Sequence, residues 1–378
     1  MDEPIRISLV EHFETLEEPR IERSKLHNLI DIIVIAVCGA ICGADSWVEI
    51  AEFGKAKEEW LGKVLELPNG IPAHDTFGRG FRRLDPEQFQ LRFLEWVPAV
   101  FRVTEGPVVA VDGKQLRGSH DQGPGKSAIH RVSAWASHHR LVLGQLKVEE
   151  KSNQIKAIPA LLELLDLKAG IVTTDAMGCQ KAIAQSVLST GGDYLFALKE
   201  NHPQLYEEGH DLFTLAHQEQ FRHVRPDFFE TTSKGHGRIE TRRGWSISDP
   251  TSLNVLRDRD QWPGLQTLGM LISERSVAGH TSTDTHDFIS SLPSDARRLL
   301  DGARSHWSIE NGLHWVLDVS FREDFSRVRM DHAAHTFAIL RHLALNLLKQ
   351  ERSAKVGVKA KRLKAALSQD YLLKVLSQ

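Results

Sequence analysis

Three acidic residues, far apart in the chain, lie in surroundings that suit metal-dependent chemistry on phosphate groups. Asp112 and Asp175 end the apolar runs VVAVD and GIVTTD, and Glu310 lies within RSHWSIENGLHWVL. Two divalent ions, roughly 3.5 to 4 Å apart, can activate an attacking oxygen and stabilise a leaving one. Carboxylate oxygens are ligands that Mg²⁺ prefers. We therefore predict that Asp112, Asp175 and Glu310 are the metal ligands and catalytic residues of a phosphodiester-transfer site.

Simpler interpretations of the same residues remain open. An aspartate at a strand end is commonly a turn residue, and Asp175 precedes a helix start, where an N-cap contributes about 1 kcal/mol. His306, Glu310 and His314 are spaced four apart, so they share one face of a helix. That spacing also fits a Zn²⁺ site in a hydrolase of another class.

Basic, polar and aromatic residues near these acids are candidates for contacts with DNA. Lys114 follows Asp112 and Gly113, and Lys199 and Asn201 follow the strand-like run DYLFAL. The run GHGRIETRR has strand-like alternation, and Trp307 is placed to stack on an unpaired base. We predict DNA contacts for Lys114, Lys199, Asn201, His236, Arg238, Arg242 and Trp307. For Lys114 a surface position is the alternative, and for Trp307 it is core packing.

The composition is that of a globular protein without a membrane span. Hydrophobic residues make up 41% and charged residues 26% of the 378 positions, and the net charge is −3. The longest apolar run, residues 32–44, is shorter than the roughly 20 residues of a transmembrane helix. Three cysteines exclude a disulfide framework, and the acidic N-terminus is unlike a secretory signal. We expect no membrane partner and a cytoplasmic, nucleoid-associated protein.

The periodicity of apolar residues changes along the chain. Residues 24–101 favour helices, among them a segment opened by Asp75 whose three arginines, Arg79, Arg82 and Arg83, face either DNA or solvent. Strands are predicted at 108–112, 129–136, 141–148, 170–175 and 193–198, with helices between the later ones. Residues 205–290 return to strand-like patterns, and helices resume after Ser294. Seven basic residues against one acid at 349–364 suit either a phosphate backbone or a solvated tail.

Taken together, these segments resemble a known family. AVDGKQLRG, VTTDAMGCQK, FALKENHP, HGRIETR and HWSIENGLHWVLDVSFREDFSRVR, with the N-terminal run that begins at HFETLEEPR, are similar to insertion-sequence DDE transposases of the H-repeat-associated type. The resemblance covers about nine tenths of the chain. It implies that Asp112, Asp175 and Glu310 are the metal-binding triad, with an inserted β-rich region between the last two. Where relatives carry arginine and lysine around the glutamate, this chain has His306 and Leu317, and we add His306 to the predicted DNA contacts.

The resemblance also implies a fold and a reaction. The fold class is mixed α/β, with a ribonuclease-H-like catalytic core, an N-terminal helical domain and an inserted β-rich subdomain. The expected boundaries are 1–102 for the helical domain, 103–350 for the catalytic domain with its insertion at about 205–290, and 351–378 for a basic tail. The reaction is cleavage and strand transfer at the ends of double-stranded DNA with two Mg²⁺ or Mn²⁺ ions, by a homo-oligomer. A nuclease without strand transfer and an inactive DNA-binding derivative are the alternatives.

Overall fold

The computed structural model describes residues 8–21, 25–101, 106–119, 128–148, 154–235 and 237–378. The described helices are α1 (Ser8–Phe13), α2 (Leu29–Ile41), α3 (Trp47–Ala56), α4 (Glu58–Leu61), α5 (His74–Arg83), α6 (Pro86–Val100), α7 (Gln154–Glu163), α8 (Lys181–Ser189), α9 (Pro203–Gln218), α10 (Pro250–Leu253), α11 (Ala296–Ile309), α12 (Trp315–Ser320), α13 (Ala333–Gln350), α14 (Val358–Leu367) and α15 (Gln369–Leu376). The strands are β1 (Val108–Leu116), β2 (Ile129–Ala136), β3 (Leu141–Val148), β4 (Ile171–Thr174), β5 (Asp193–Leu198), β6 (Asp227–Gly235), β7 (Arg238–Ile247), β8 (Thr267–Val277) and β9 (His280–Ser290).

The N-terminal helices form where the sequence supplies caps and apolar faces. Ser46 accepts a hydrogen bond from the Glu49 backbone N–H at 3.3 Å and begins α3. Asp85 caps α6 in the same way, with Pro86 in the first turn. Helix α2 is apolar on nearly all sides, and it is buried against α13 from the far end of the chain. The N-terminal helices and α13 therefore share one core.

The central sheet places the two aspartates next to each other. Its first five strands follow the order β3-β2-β1-β4-β5, with β2 antiparallel to its neighbours and β1, β4 and β5 parallel. Pairing of β1 with β4 runs from Val108 and Ile171 to Val111 and Thr174. Asp112 is the next residue of β1, and Asp175 directly follows the end of β4. This strand order, with helices between the parallel strands, confirms the predicted mixed α/β, ribonuclease-H-like fold.

The inserted strands extend the same sheet. Strand β9 pairs antiparallel with β5, and β8, β7 and β6 follow outward, giving nine strands in the order β3-β2-β1-β4-β5-β9-β8-β7-β6. The β-rich insertion predicted at about 205–290 is therefore continuous with the core, because β5 offers an open edge to β9. The strand-like pattern predicted from residue 205 is wrong at its start, because residues 203–218 form helix α9, which contacts β9.

The C-terminal segment is folded, which corrects the solvated-tail interpretation at two positions. The Lys361 ammonium donates to the backbone carbonyls of Leu348 and Glu351, and Arg362 donates to the carbonyl of Ala40 and to Asp45. Both side chains are buried because α14 packs against α2, α12 and α13. Within the described ranges, no helix is both long and apolar enough to cross a membrane.

Candidate active site

The three predicted acids line one cavity, although they come from three separate elements. Asp112, Asp175 and Glu310 border a space of about 230 Å³ between the sheet and helix α11. Asp112 lies in β1, Asp175 follows β4, and Glu310 follows α11. The Oδ1 atom of Asp175 accepts a hydrogen bond from the Gly178 backbone N–H at 3.0 Å, so this carboxylate caps a turn and not helix α8, which begins at Lys181.

The glutamate lies at a local change in helix geometry. Residues Glu310–His314 form one π-helical turn between α11 and α12, and π turns inside α-helices frequently occur at functional sites. His314, which is buried, lies between two of the acids. Its Nδ1 atom is 3.5 Å from Asp112 Oδ2 and 3.6 Å from Glu310 Oε2. The sequence indicated that Glu310 and His314 share a helix face, but the contact of His314 with Asp112 depends on the tertiary structure.

The electrostatics of the cavity are those of crowded acids. Burial raises the pKa of Asp112 to about 6, and the nearby carboxylates of Asp175 and Glu310 add to the rise against the opposing effect of His314. The hydrogen bond with His314 lowers the pKa of Glu310. A buried carboxyl whose neighbours are also acidic is stabilised by a bound cation. The donor set is therefore suited to a divalent ion.

Among the described residues, one group of metal-ligand atoms meets closely. Ligand atoms of Asp112, Glu310 and His314 lie within 4.8 Å of one another, and Asp175 faces the same cavity. The alternative Zn²⁺ trio of His306, Glu310 and His314 does not assemble. The Nδ1 atom of His306 lies 3.2 Å from the Thr173 hydroxyl, and burial lowers the pKa of this imidazole. His306 thus links α11 to β4, beside the cavity wall.

Further lining residues come from β5 and from the insertion. Lys199, after β5, borders the cavity as expected for a phosphate contact. Trp307 also borders it, and its ring centroid lies 5.1 Å from that of His286. His286 and Phe288 belong to β9, so the insertion completes one wall. Sequence reasoning missed His286 because no spacing in the chain links it to the acids.

Asn201 has a positioning contact next to the second aspartate. Its Nδ2 atom donates to the Ala176 carbonyl at 2.7 Å. The neighbouring His202 contacts the Cys179 carbonyl at 2.6 Å. Both contacts hold the loop that carries Asp175. The side-chain nitrogen of Asn201, which was predicted to contact DNA, is therefore engaged in a hydrogen bond within the protein.

Lys114 does not face the cavity, which corrects its predicted position. It is 9% exposed, and its ammonium contacts Asp318 and lies 3.3 Å from Glu323. Glu323 also accepts both terminal nitrogens of Arg131, at 3.2 and 3.0 Å. The charge of Lys114 is thus neutralised inside the protein. We call Lys114, Arg131, Asp318, Glu323 and Arg341 the buried ion network.

The arginines of strand β7 in the insertion lie next to acidic residues. Arg238 is exposed near the tip of β7, 3.9 Å from Glu240. Arg242 contacts Glu240 at 2.5 Å. Arg243 is held by Glu230 and Glu274. His236 lies outside the described residues.

Helix α5 borders a larger cleft on another part of the molecule. Arg79 and Arg82 line a space of about 570 Å³ together with Arg322, Arg327 and Phe325 from the loop after α12. The described helix begins at His74, with Asp75 in its first turn. Arg79 and Arg82 therefore face a cleft between the N-terminal helices and the segment that follows α12.

Comparison with known proteins agrees with this architecture. A family model described as "Transposase DDE domain" matches residues 104–347, and one described as "DDE_Tnp_1-associated" matches residues 10–97. A protein of Escherichia coli O157:H7, provisionally named transposase YncI, is 40% identical over 373 residues, which is 98% of this chain and 94% of that protein. The provisionally named H repeat-associated transposase YhhI of strain K12 is 37% identical over 373 residues, covering 98% and 97% of the two chains.

A solved piggyBac transposase synaptic complex with hairpin DNA aligns with 99% of this chain and 78% of that chain, at a TM-score of 0.46 and 11% identity. The family match covers well over half of the chain, and the relatives match it nearly end to end. The resemblance inferred from the sequence motifs is thereby confirmed. The chain belongs to the DDE transposases, among relatives of the H repeat-associated type.

Proposed function

We propose that this chain cleaves DNA at the ends of an insertion sequence and joins the exposed 3′ ends to target DNA. Water adds to the phosphorus and the bond to the 3′ oxygen breaks, leaving a 3′-hydroxyl and a 5′-phosphate. The 3′-hydroxyl then adds to a target phosphorus, and a target 3′ oxygen leaves. Each step forms and breaks one P–O bond, so neither needs an oxidant or a nucleotide cofactor.

The observation that carries this proposal is the meeting of Asp112, Asp175 and Glu310 at one cavity. These carboxylates would hold Mg²⁺ or Mn²⁺, and His314 would orient two of them through its Nδ1 contacts. A pair of such ions, when bound, makes the attacking oxygen more nucleophilic and stabilises the leaving one. The raised pKa of Asp112 is consistent with a site that is completed by cations.

Other residues of the chain would bind and orient the DNA. Lys199 offers a positive charge at the cavity edge, where it would contact a phosphate. Trp307 and His286 form an aromatic wall that would exclude water from one side of the reacting phosphate. Asn201 and His306 would act through position alone, by holding the loop after β4 and the end of α11.

A strand-transfer assay tests the proposal. The purified chain would be incubated with Mg²⁺, a target plasmid, and a duplex from the DNA that flanks the gene, either intact or already cleaved to a 3′-hydroxyl. We expect cleavage of the intact duplex and joining of the cleaved one to the plasmid. Asp112→Asn should abolish both products. Asp166 is an exposed acid that precedes β4, whereas Asp175 follows this strand, and Asp166→Asn should leave both products unchanged.

The outcomes separate the alternatives. Cleavage without joining would identify a nuclease. Binding of the duplex without either product would identify a DNA-binding derivative of a mobile element. We also propose that joining requires a homo-oligomer that pairs two DNA ends, and cross-linking of protomers during the assay would test this.

A further inference from the structure

Four cationic side chains line a groove that the proposed chemistry does not use. We call this space of about 380 Å³ the basic groove, and its cations are Arg140, Arg242, Arg304 and Lys349. No acidic residue is among the described residues that line it. Trp307 borders both the basic groove and the acidic cavity, and the groove also includes Asn311, which follows Glu310. The two spaces are therefore neighbours along helix α11.

The positive charge of the basic groove is not balanced by the protein. In the part of the chain that the structure describes, Arg140, Arg304 and Lys349 form no ion pair with an acid. Arg242 is 9% exposed and contacts Glu240, but its Nε atom is buried without a hydrogen-bond partner. A buried, unpaired donor is costly. An anion in the groove would offset the excess positive charge of these side chains.

Lys349 indicates the same deficit of negative charge. Its ammonium lies over the Trp135 ring, 5.1 Å from the centroid. Burial lowers its pKa to about 8, and the like charges of Arg140 and Lys361 contribute. The buried ion network shows the contrasting case, in which each cation has an acid beside it. The fold thus leaves cations without acids where the groove meets the catalytic cavity.

We propose that the basic groove binds the sugar-phosphate backbone of the DNA strand whose neighbouring phosphate enters the acidic cavity. This inference rests on the proposed function and adds the path of the substrate. Arginine donates paired hydrogen bonds to phosphate oxygens, and contacts of this kind position DNA without reading its sequence. Trp307, at the boundary of the two spaces, would lie beside the nucleotide that passes from one to the other.

Measuring DNA affinity without cleavage tests this proposal. The full-length protein, in a chelator that prevents turnover, would be titrated onto a fluorescein-labelled DNA duplex of mixed sequence at several salt concentrations. Because one lost phosphate contact lowers the salt slope by about 0.9, Arg140→Gln, Arg304→Gln and Lys349→Gln should each weaken binding roughly fivefold to tenfold at 0.1 M salt. The matched control is Lys168→Gln. Lys168 is exposed and precedes β4, whereas Asp175 follows the other end of this strand.

Variants that keep the parent affinity and salt slope would overturn the proposal. Thermal unfolding of each variant separates a folding defect from a lost contact, and Arg140 and Arg304 are exposed, so little change is expected. The assay needs no catalysis. If the groove variants bind DNA more weakly but the parent chain does not cleave DNA in the strand-transfer assay, the groove is supported and the proposed function is rejected. If the variants bind as the parent does and the parent cleaves DNA, the groove is rejected and the proposed function is supported.

Discussion

Two acidic centres next to strand β1 differ in what surrounds their carboxylates. Asp112 faces two further acids across the active-site cavity, whereas Glu323 is enclosed by the cations Arg131, Lys114 and Arg341. Burial acts to raise the pKa of both carboxyl groups, but their neighbours shift the net pKa in opposite directions. The pKa of Asp112 rises to about 6, and the cations hold the pKa of Glu323 far below its usual range.

The two centres differ in how their carboxylates affect the stability of the folded state. Removing one partner of a buried ion pair leaves an uncompensated charge, so the network around Glu323 contributes to the folded state as long as it is complete. Crowded acids oppose folding until a cation joins them, and perturbed carboxyl groups of this kind are typical of active sites. Acidic residues therefore have opposite electrostatic surroundings in the two centres.

The largest effect is expected at the cavity. Asp112→Asn and Asp175→Asn should lower the rate of DNA cleavage at least about a thousandfold, about 4 kcal/mol in activation free energy, because each removes a carboxylate that we propose as a metal ligand. The rate would be measured on the duplex that flanks the gene.

Without metal, Asp112→Asn should raise the free energy of unfolding, on the order of 1 kcal/mol, because a raised carboxyl pKa costs stability at neutral pH. A loss of stability would contradict the electrostatic difference between the two centres.

The buried ion network should show the opposite pattern. Glu323→Gln leaves Arg131 and Lys114 without their shared carboxylate, and we expect the free energy of unfolding to fall by about 3 to 5 kcal/mol. Denaturant titration would measure the change. The control is Glu95→Gln, which removes an exposed ion pair with Arg92 and should cost less than about 1 kcal/mol. Equal losses in the two variants would remove the basis for the contrast.

The pH dependence of stability tests the same centre in the unmodified chain. Because the folded-state pKa of Glu323 lies below its usual value of 4.5, its contribution is complete above that pH and is lost as the pH falls further. The stability difference between the parent chain and Glu323→Gln should therefore shrink as the pH is lowered from neutral to about 3. Unfolding curves at successive pH values would show it. A difference that stays constant with pH would contradict the assigned role.

The smallest effect is expected for a positioning residue of the cavity. Asn201→Ala removes the hydrogen bond to the Ala176 carbonyl, and we expect a stability loss of about 1 kcal/mol together with a roughly tenfold slower cleavage, because the loop carrying Asp175 is loosened. Asn69→Ala is the matched control, since Asn69 donates to the Leu26 carbonyl in the N-terminal region. It should lose similar stability and keep the cleavage rate. Equal rates in the two variants would assign Asn201 a purely structural role.

Much of the fold could be predicted from the sequence because it depends on local patterns. The first five strands occur close to the predicted positions, and Ser46 and Asp85 cap helices as expected. The candidate acids could also be predicted, since strand ends and the recognisable motifs marked Asp112, Asp175 and Glu310. Lys199 and Trp307 lie at the cavity for the same reason.

Other features depend on contacts between distant parts of the chain. Lys114 looked like a free cation beside a phosphate site, but its partners Asp318 and Glu323 lie about two hundred residues away. His286 reaches the cavity because β9 joins the open edge of β5. In the sequence, Lys361 and Arg362 resemble part of a solvated basic tail, but both are buried because α14 packs against the core.

The sequence by itself determined most of the element types, the mixed α/β class and the three candidate acids, because strand periodicity, helix caps and short motifs depend on neighbouring residues. The tertiary structure decided which charges are neutralised and which are left to act. Coulombic interactions depend on distance in space and on burial, and neither is fixed by position along the chain. For this reason Lys114 and Asp112, two residues apart, belong to centres with opposite electrostatics.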